Sequence, residues 1–223
     1  MVRNYRYENQ VTEALMEKAI PSPRGRPKLL NRERVLSVAM EQYWRHGPTQ
    51  VSISDICDLS GSSKPSVYRE FGSDDGLRAA TLLAYKAIAI DPFLARLNGV
   101  QTIAETLQSL VDFIIQDRQP QNIPDGCLFV LMKAQRHCFG PKTQRCLEDV
   151  RTEFVSSFAT WIEASKSAGV FRKDIPTNAA VHQIEALHAG ASSLQRDGES
   201  PEEVKQMLTF GLAAISGENT ILI

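Results

Sequence analysis

Long apolar runs are what this 223-residue sequence lacks most plainly. No stretch approaches the ~18 apolar residues of a membrane-crossing helix, and the first residues hold no apolar signal core; a cytoplasmic protein with no membrane partner is expected. Cysteine is scarce as well. There are four, none spaced as CxxC, which argues against a disulfide framework and against the usual zinc patterns. No metal and no cofactor is therefore expected. Alternation of apolar and polar residues, the mark of a half-buried strand, is missing throughout, and helical spacing of three and four replaces it. The expected fold class is all-α. A net charge of −1 gives no hint of a polyanionic partner, but its distribution does. Residues 1–90 hold 13 Lys and Arg against 10 Asp and Glu, and residues 91–223 hold 12 against 16.

The basic part contains the most informative stretch, Ser52 to Tyr68. Ser52 can cap one short helix, Gly61 can take the positive φ of a turn, and Ser63 can cap a second. The expected motif is a helix-turn-helix. Ile53, Ile56 and Leu59 would face inward from the first helix, with Val67 anchoring the second. Lys64, Ser66, Tyr68 and Arg69 then face outward. Cations for phosphates or guanine edges, a hydroxyl and a phenol suit a DNA surface. Pro65 falls in the first turn, where its missing N–H costs nothing. Together with Ser52 and Ser63 at the helix starts, these residues make the expected DNA-binding set. Upstream, Pro21 to Lys28 is held extended by Pro and Gly and carries Arg24, Arg26 and Lys28, an arm suited to a narrow minor groove.

Residues 31–83 resemble the DNA-binding domain of the TetR family of bacterial regulators. The resemblance rests on Gly47 ending a first helix, Val51-Ser52-Ile53-Ser54-Asp55-Ile56, Ser60-Gly61-Ser62-Ser63, Ser66-Val67-Tyr68-Arg69-Glu70-Phe71, and Leu77 entering a fourth helix. It implies an N-terminal three-helix reading head followed by a larger helical domain that binds a ligand and dimerises. Residues 1–30 are expected to be a basic arm, 31–75 the reading head, and 76–223 the ligand-binding and dimerisation domain. One position departs from the family's habit. Where a lysine able to reach a DNA phosphate often follows the fourth helix's cap, Asp74 stands.

Along the rest of the chain, a first helix is expected from the Asn31 cap to about His46, burying Val35, Val38, Ala39 and either Tyr43 or Trp44, with Arg32 and Arg34 near the arm. Ser73 should cap the fourth helix, carried by Leu77, Leu82, Leu83, Tyr85 and Ile88 to a stop at Asp91-Pro92. Further helices are expected at Thr102 to about Asp117, Cys127 to about Phe139, Gly140 to about Ala168, Thr177 to Arg196, and from the Ser200-Pro201-Glu202-Glu203 capping box onward. The helix from Thr177 is rich in Ala, Gly and Ser, which permits close helix approach. The resemblance implies that the last two helices of each subunit pair into a homodimer, which a pseudo-palindromic operator requires.

Cys127 in a helix's first turn faces the positive end of the dipole and is the candidate reactive thiol. With Phe113, Phe129, Phe158, Trp161 and His188 it makes the candidate ligand pocket, suited to an apolar or amphipathic molecule. The leading expectation is a homodimeric repressor that leaves double-stranded operator DNA when a small-molecule effector binds. The alternative is a redox- or electrophile-sensing regulator acting through covalent change at Cys127. An enzyme using Cys127 and His137 is not expected: ten residues apart on one helix, they would stand roughly 15 Å apart.

Overall fold

The computed structural model describes residues 30–98, 102–116 and 122–216, and among these every regular element is helical. Four helices open the described residues: α1 (Arg32–His46), α2 (Ile53–Ser60), α3 (Lys64–Phe71) and α4 (Asp74–Tyr85). Each begins at a polar residue whose side-chain oxygen accepts a first-turn N–H. Asn31 accepts from Arg34, Ser52 from Asp55, Ser63 from Ser66, and Ser73 from Gly76. These caps occupy N–H groups that have no partner inside the helix, which is why the boundaries fall where they do. Gly61 supplies the left-handed turn between α2 and α3 at φ 66°, ψ 28°. Both Tyr43 and Trp44 are buried, and Trp44 meets Tyr85 edge-on at 5.0 Å.

Two inward assignments are corrected. Leu59 is 50% exposed, and the inner face of α2 is Ile53, Ile56, Cys57 and Ser60. At 3.6 residues per turn, a face begun at 53 and 56 returns at 57 and 60, so the three-apart series drifts off it by position 59. On α1, Leu36 is buried with Val35 and Ala39, whereas Val38 is only half-buried.

Asp91-Pro92 does not stop the fourth helix. After Tyr85 the chain continues as one π-helical stretch, Lys86–Ile90, then α5 (Asp91–Leu94) and a 3₁₀ turn, Ala95–Asn98. Pro92 lies in the first turn of α5, where it displaces no hydrogen bond. Of the residues expected to carry that helix, Leu77, Leu82 and Tyr85 are buried, whereas Leu83 and Ile88 are 55% and 36% exposed.

Five more helices follow: α6 (Ile103–Ile115), opened by a Thr102–Glu105 capping box; α7 (Leu128–Ala134); α8 (Pro141–Ser167); α9 (Thr177–Asp197); and α10 (Pro201–Ser216). The helix expected to run to Phe139 ends at Ala134, and a separate 3₁₀ turn covers Arg136–Cys138. The Ser200 box is present: Glu203 donates its N–H to the Ser200 hydroxyl oxygen at 3.3 Å, and its carboxylate accepts the Ser200 N–H at 3.0 Å.

The chain forms two compact units. In the first, the described residues up to Ile88 are joined by Leu131–Leu147. There α1 packs on α2 and α4, and α3 on α2 and α4. The second comprises Ala89–Val130 and the stretch from Glu148 onward. In it α10 packs on α6 and α9, over a core that includes Leu107, Leu110, Val181, Ile184, Leu208 and Leu212. Gly211 brings α10 close to α9, since a Cβ there would lie 2.3 Å from Leu187.

Candidate nucleic-acid interface and ring cluster

The reading face of the first unit is built on α3. Val67 and Phe71 are buried, so helical periodicity turns Lys64, Tyr68 and Arg69 outward, and all three are exposed. Pro65 is exposed in the first turn and Ser66 is half-buried. Ser63 and Ser66 are linked hydroxyl to hydroxyl at 2.9 Å, and an Arg69 guanidinium nitrogen lies 3.5 Å from the Ser66 oxygen. Ser52 is fully engaged in its capping box. It donates both its N–H and its hydroxyl to Asp55, at 2.9 and 2.7 Å, and these bonds hold the Asp55 carboxyl below its ordinary range. Arg24, Arg26 and Lys28 lie outside the described residues.

Arg32 and Arg34 brace the motif. Arg32 pairs with Glu70 at 3.0 Å and lies over the Phe71 ring. Arg34 donates to the Ser60 and Leu59 carbonyls at 3.3 and 3.4 Å, tying α1 to the C-terminal end of α2. Asp74 also has a partner. The Tyr68 hydroxyl donates to its Oδ1 at 3.0 Å, and that bond raises the phenol above its ordinary pKa.

The neighbouring carboxylate, Asp75, does something the sequence did not announce. It accepts the N–H groups of Lys142 and Thr143, at 2.9 and 3.2 Å, and so caps α8 from α4. The Thr143 hydroxyl donates to the Asp75 backbone oxygen at 3.0 Å. Gly140 has no side chain to cap the helix itself, and a Cβ there would sit 2.6 Å from the Asp75 carboxylate. Burial pushes the Asp75 carboxyl up, and the bonds from Thr143 and Lys142 outweigh it, leaving the group below its ordinary range.

In the second unit three of the six expected pocket residues converge on one that the sequence reading did not include, Phe93. Its ring lies 5.6 Å from Phe113, 6.2 Å from Phe158 and 5.5 Å from His188, the last stacked. Phe154 stacks at 6.3 Å on the same ring and lies 4.7 Å from Phe158. Trp161 meets Phe158 and Phe171 edge-on. The Arg96 guanidinium sits 4.2 Å above Phe113 and donates to the Pro92 carbonyl; burial lowers its pKa. Cys127 has a different setting. It is buried just before α7, its N–H donates to the Ser192 hydroxyl at 2.8 Å, and Gly126 beside it takes φ 78°. Phe129 is buried on α7. Among the described residues no cluster of His, Cys, Asp and Glu could hold a metal ion, and no helix is long and apolar enough to cross a membrane.

The comparisons with known proteins agree with this geometry. Residues 35–81 match the family model for bacterial regulatory proteins of the tetR family. The HTH-type transcriptional repressor ComR of Escherichia coli K12 is 35% identical over 117 residues, 50% of this chain and 53% of that protein. The chain thus spans about half the length of this curated relative. A second, the HTH-type transcriptional repressor BdcR of the same organism, is 24% identical over 194 residues, 87% of this chain and 91% of the repressor. Among solved structures, reduced E. coli NemR superposes with a TM-score of 0.71 at 16% identity, over 82% of this chain and 96% of that one. A cysteine mutant of the TetR family regulator CifR, complexed with 26bp double-strand operator DNA, gives 0.72 at 22% identity, over 86% and 100%. The capped helix-turn-helix and the all-helical remainder agree with those matches, and residues 35–81 belong to the tetR family of bacterial regulatory proteins.

Proposed function

We propose that this chain is a homodimeric transcriptional repressor that binds a pseudo-palindromic double-stranded operator and leaves it when a small apolar or amphipathic molecule binds the second unit. The observation that carries the reading is the outward face of α3, where Lys64, Tyr68 and Arg69 are exposed on a helix fixed from behind by Val67, Phe71 and the Arg34 brace. A fixed helix with exposed polar side chains is what groove recognition needs. The working division is an arm (residues 1–30), a reading head (31–75) and a sensing and pairing part (76–223), with residues 131–147 supporting the head. The arm would add Arg24, Arg26 and Lys28 to the minor groove. Ser66 is assigned a direct contact, whereas Ser52, Ser63 and Pro65 set the positions of the helix starts.

Pairing is assigned to α9 and α10. Phe210 on α10 is 82% exposed, and an aromatic ring left bare on a helix is the kind of anchor that subunit interfaces bury. The effector site is assigned to the Phe93 cluster, where Phe113, Phe158, Trp161 and His188 meet and Arg96 supplies a cation for an amphipathic ligand's polar end. Two fold neighbours are described by redox state or by cysteine substitution. That favours a second reading in which modification of Cys127, disrupting its place against Ser192, replaces reversible binding. Release reversed by reductant selects it.

The test is a mobility shift on the DNA upstream of the chain's own coding sequence, alongside fragments selected from random duplex, with the parent and with Lys64→Ala/Tyr68→Ala. A salt-sensitive, sequence-selective shift lost in the double variant is the expected result. A folded parent dimer that selects no sequence overturns the reading.

A further inference from the structure

Residues 131–147 belong to the compact unit that holds the helix-turn-helix, and their charge is one-sided. They carry Lys133, Arg136, Lys142 and Arg145, with no Asp or Glu. Lys142 is the best placed. The Asp75 carboxylate accepts its backbone N–H at 2.9 Å, which fixes the first turn of α8. Its ammonium group lies beside the end of the reading helix, where a Cβ on Gly72 would meet Nζ at 3.7 Å. Gly72 is the C-cap of α3, and Tyr68, one turn back on the outward face, reaches Asp74 just beyond it. Lys142 thus stands at the border of the reading face, beside the C-cap of α3. Its side chain is exposed, and no carboxylate partner is described for it.

We infer that Lys142 is a DNA-backbone contact: a cation delivered by a distant part of the chain to a phosphate at the rim of the reading face, offsetting the repulsion that Asp74 exerts there. The inference rests on the DNA-binding reading above. It adds a residue outside the helix-turn-helix to the interface, and Asp75 becomes the positioning residue that holds it. Such a contact adds affinity and salt dependence without reading bases.

The experiment measures equilibrium binding of the full chain to the selected duplex and to a scrambled duplex of equal length, from low to moderate salt, by fluorescence anisotropy. Lys142→Gln is expected to reduce the slope of log K against log salt by about 1.8 for the dimer, the contribution of one phosphate per protomer, and to weaken both duplexes by the same factor. Lys142→Arg should keep the parent slope. Lys173→Gln, an exposed cation of the second unit, should keep it too. An unchanged slope for Lys142→Gln overturns the inference while leaving the DNA-binding reading intact, and so does weakening confined to the selected duplex. A parent with no salt-dependent binding to either duplex overturns the reading and the inference together.

Discussion

Replacing Asp75 by alanine should separate the cap on α8 from every other role of that helix. The carboxylate accepts two first-turn N–H groups, from Lys142 and Thr143, and Gly140 has no side chain to take over. Losing an N-cap costs ~0.5–2 kcal/mol, and a hydrogen bond to a charged group contributes ~1.5–3 when buried. Asp75 is half-buried, so water recovers part of each bond. The Thr143 hydroxyl bond to the Asp75 backbone oxygen survives the substitution. The net loss is put at about 2 kcal/mol, which for a chain of this size lowers the melting temperature by roughly 4–8 °C. Asp75→Asn retains an acceptor without the charge and should lose about half as much.

The pH dependence has a definite sign. The folded Asp75 carboxyl is held below its ordinary value, so its stabilisation is complete above the unfolded-state value of ~3.9 and is lost as pH falls through the folded one. Urea unfolding followed by circular dichroism at neutral pH and again near pH 3 measures both quantities. The parent and Asp75→Ala should differ at neutral pH and converge in acid. If both variants unfold within ~0.5 kcal/mol of the parent at neutral pH, the range of an ordinary surface substitution, the capping argument is refuted.

Three further outcomes are expected. Phe93→Ala removes the ring on which Phe113, Phe154 and His188 converge; it should cost ~3–5 kcal/mol in urea unfolding and flatten the near-ultraviolet dichroism. Gly126→Ala forces a side chain onto φ 78°, with its Cβ 2.8 Å from the Ser192 carbonyl; a loss of about 2 kcal/mol or more should appear, against about 1 kcal/mol for Gly169→Ala, where φ 76° strains the backbone equally but the surroundings are open. Phe210→Glu, at an 82% exposed site, should leave the melting of a dilute sample nearly unchanged yet weaken self-association by ~30-fold or more in sedimentation, the effect of losing about 2 kcal/mol at an interface anchor.

What could be read from the sequence was local. Ser52, Ser63 and Ser73 announce their helices because a cap is a contact three residues long, and Gly61 announces its turn because few other residues take that φ cheaply. Leu59 was misassigned because three-residue spacing and 3.6-residue periodicity part company within two turns. Phe93 was missed because Asp91-Pro92 looks like a stop, and only the π-helical stretch before it carries the chain through to a turn that tolerates proline. The candidate ring residues stand out by type alone, and the structure gathers Phe113, Phe158 and His188 around a member that no spacing rule connects to them, with Trp161 one ring further out on Phe158. Asp75 read as a charge suited to its own helix's start. Its work on Lys142 and Thr143 spans 67 and 68 positions of sequence, and nothing in its immediate neighbours encodes that.

The unit that carries the helix-turn-helix is made from two separated pieces of chain, with the second unit's first stretch, Ala89–Val130, lying between them in sequence. It is therefore not a cassette. A fragment ending at Ile88 would leave the Asp75 carboxylate facing water, the Ala79 carbonyl without its thiol neighbour Cys146, and the Pro48 side of Arg78 without the Phe139 ring over which its guanidinium lies. Moving the helix-turn-helix unit into another protein would need residues 131–147 to travel with it. The same interleaving means that the unit carrying the helix-turn-helix cannot finish folding on a ribosome until Leu147 has been made, by which point the first turns of α8 have been made as well.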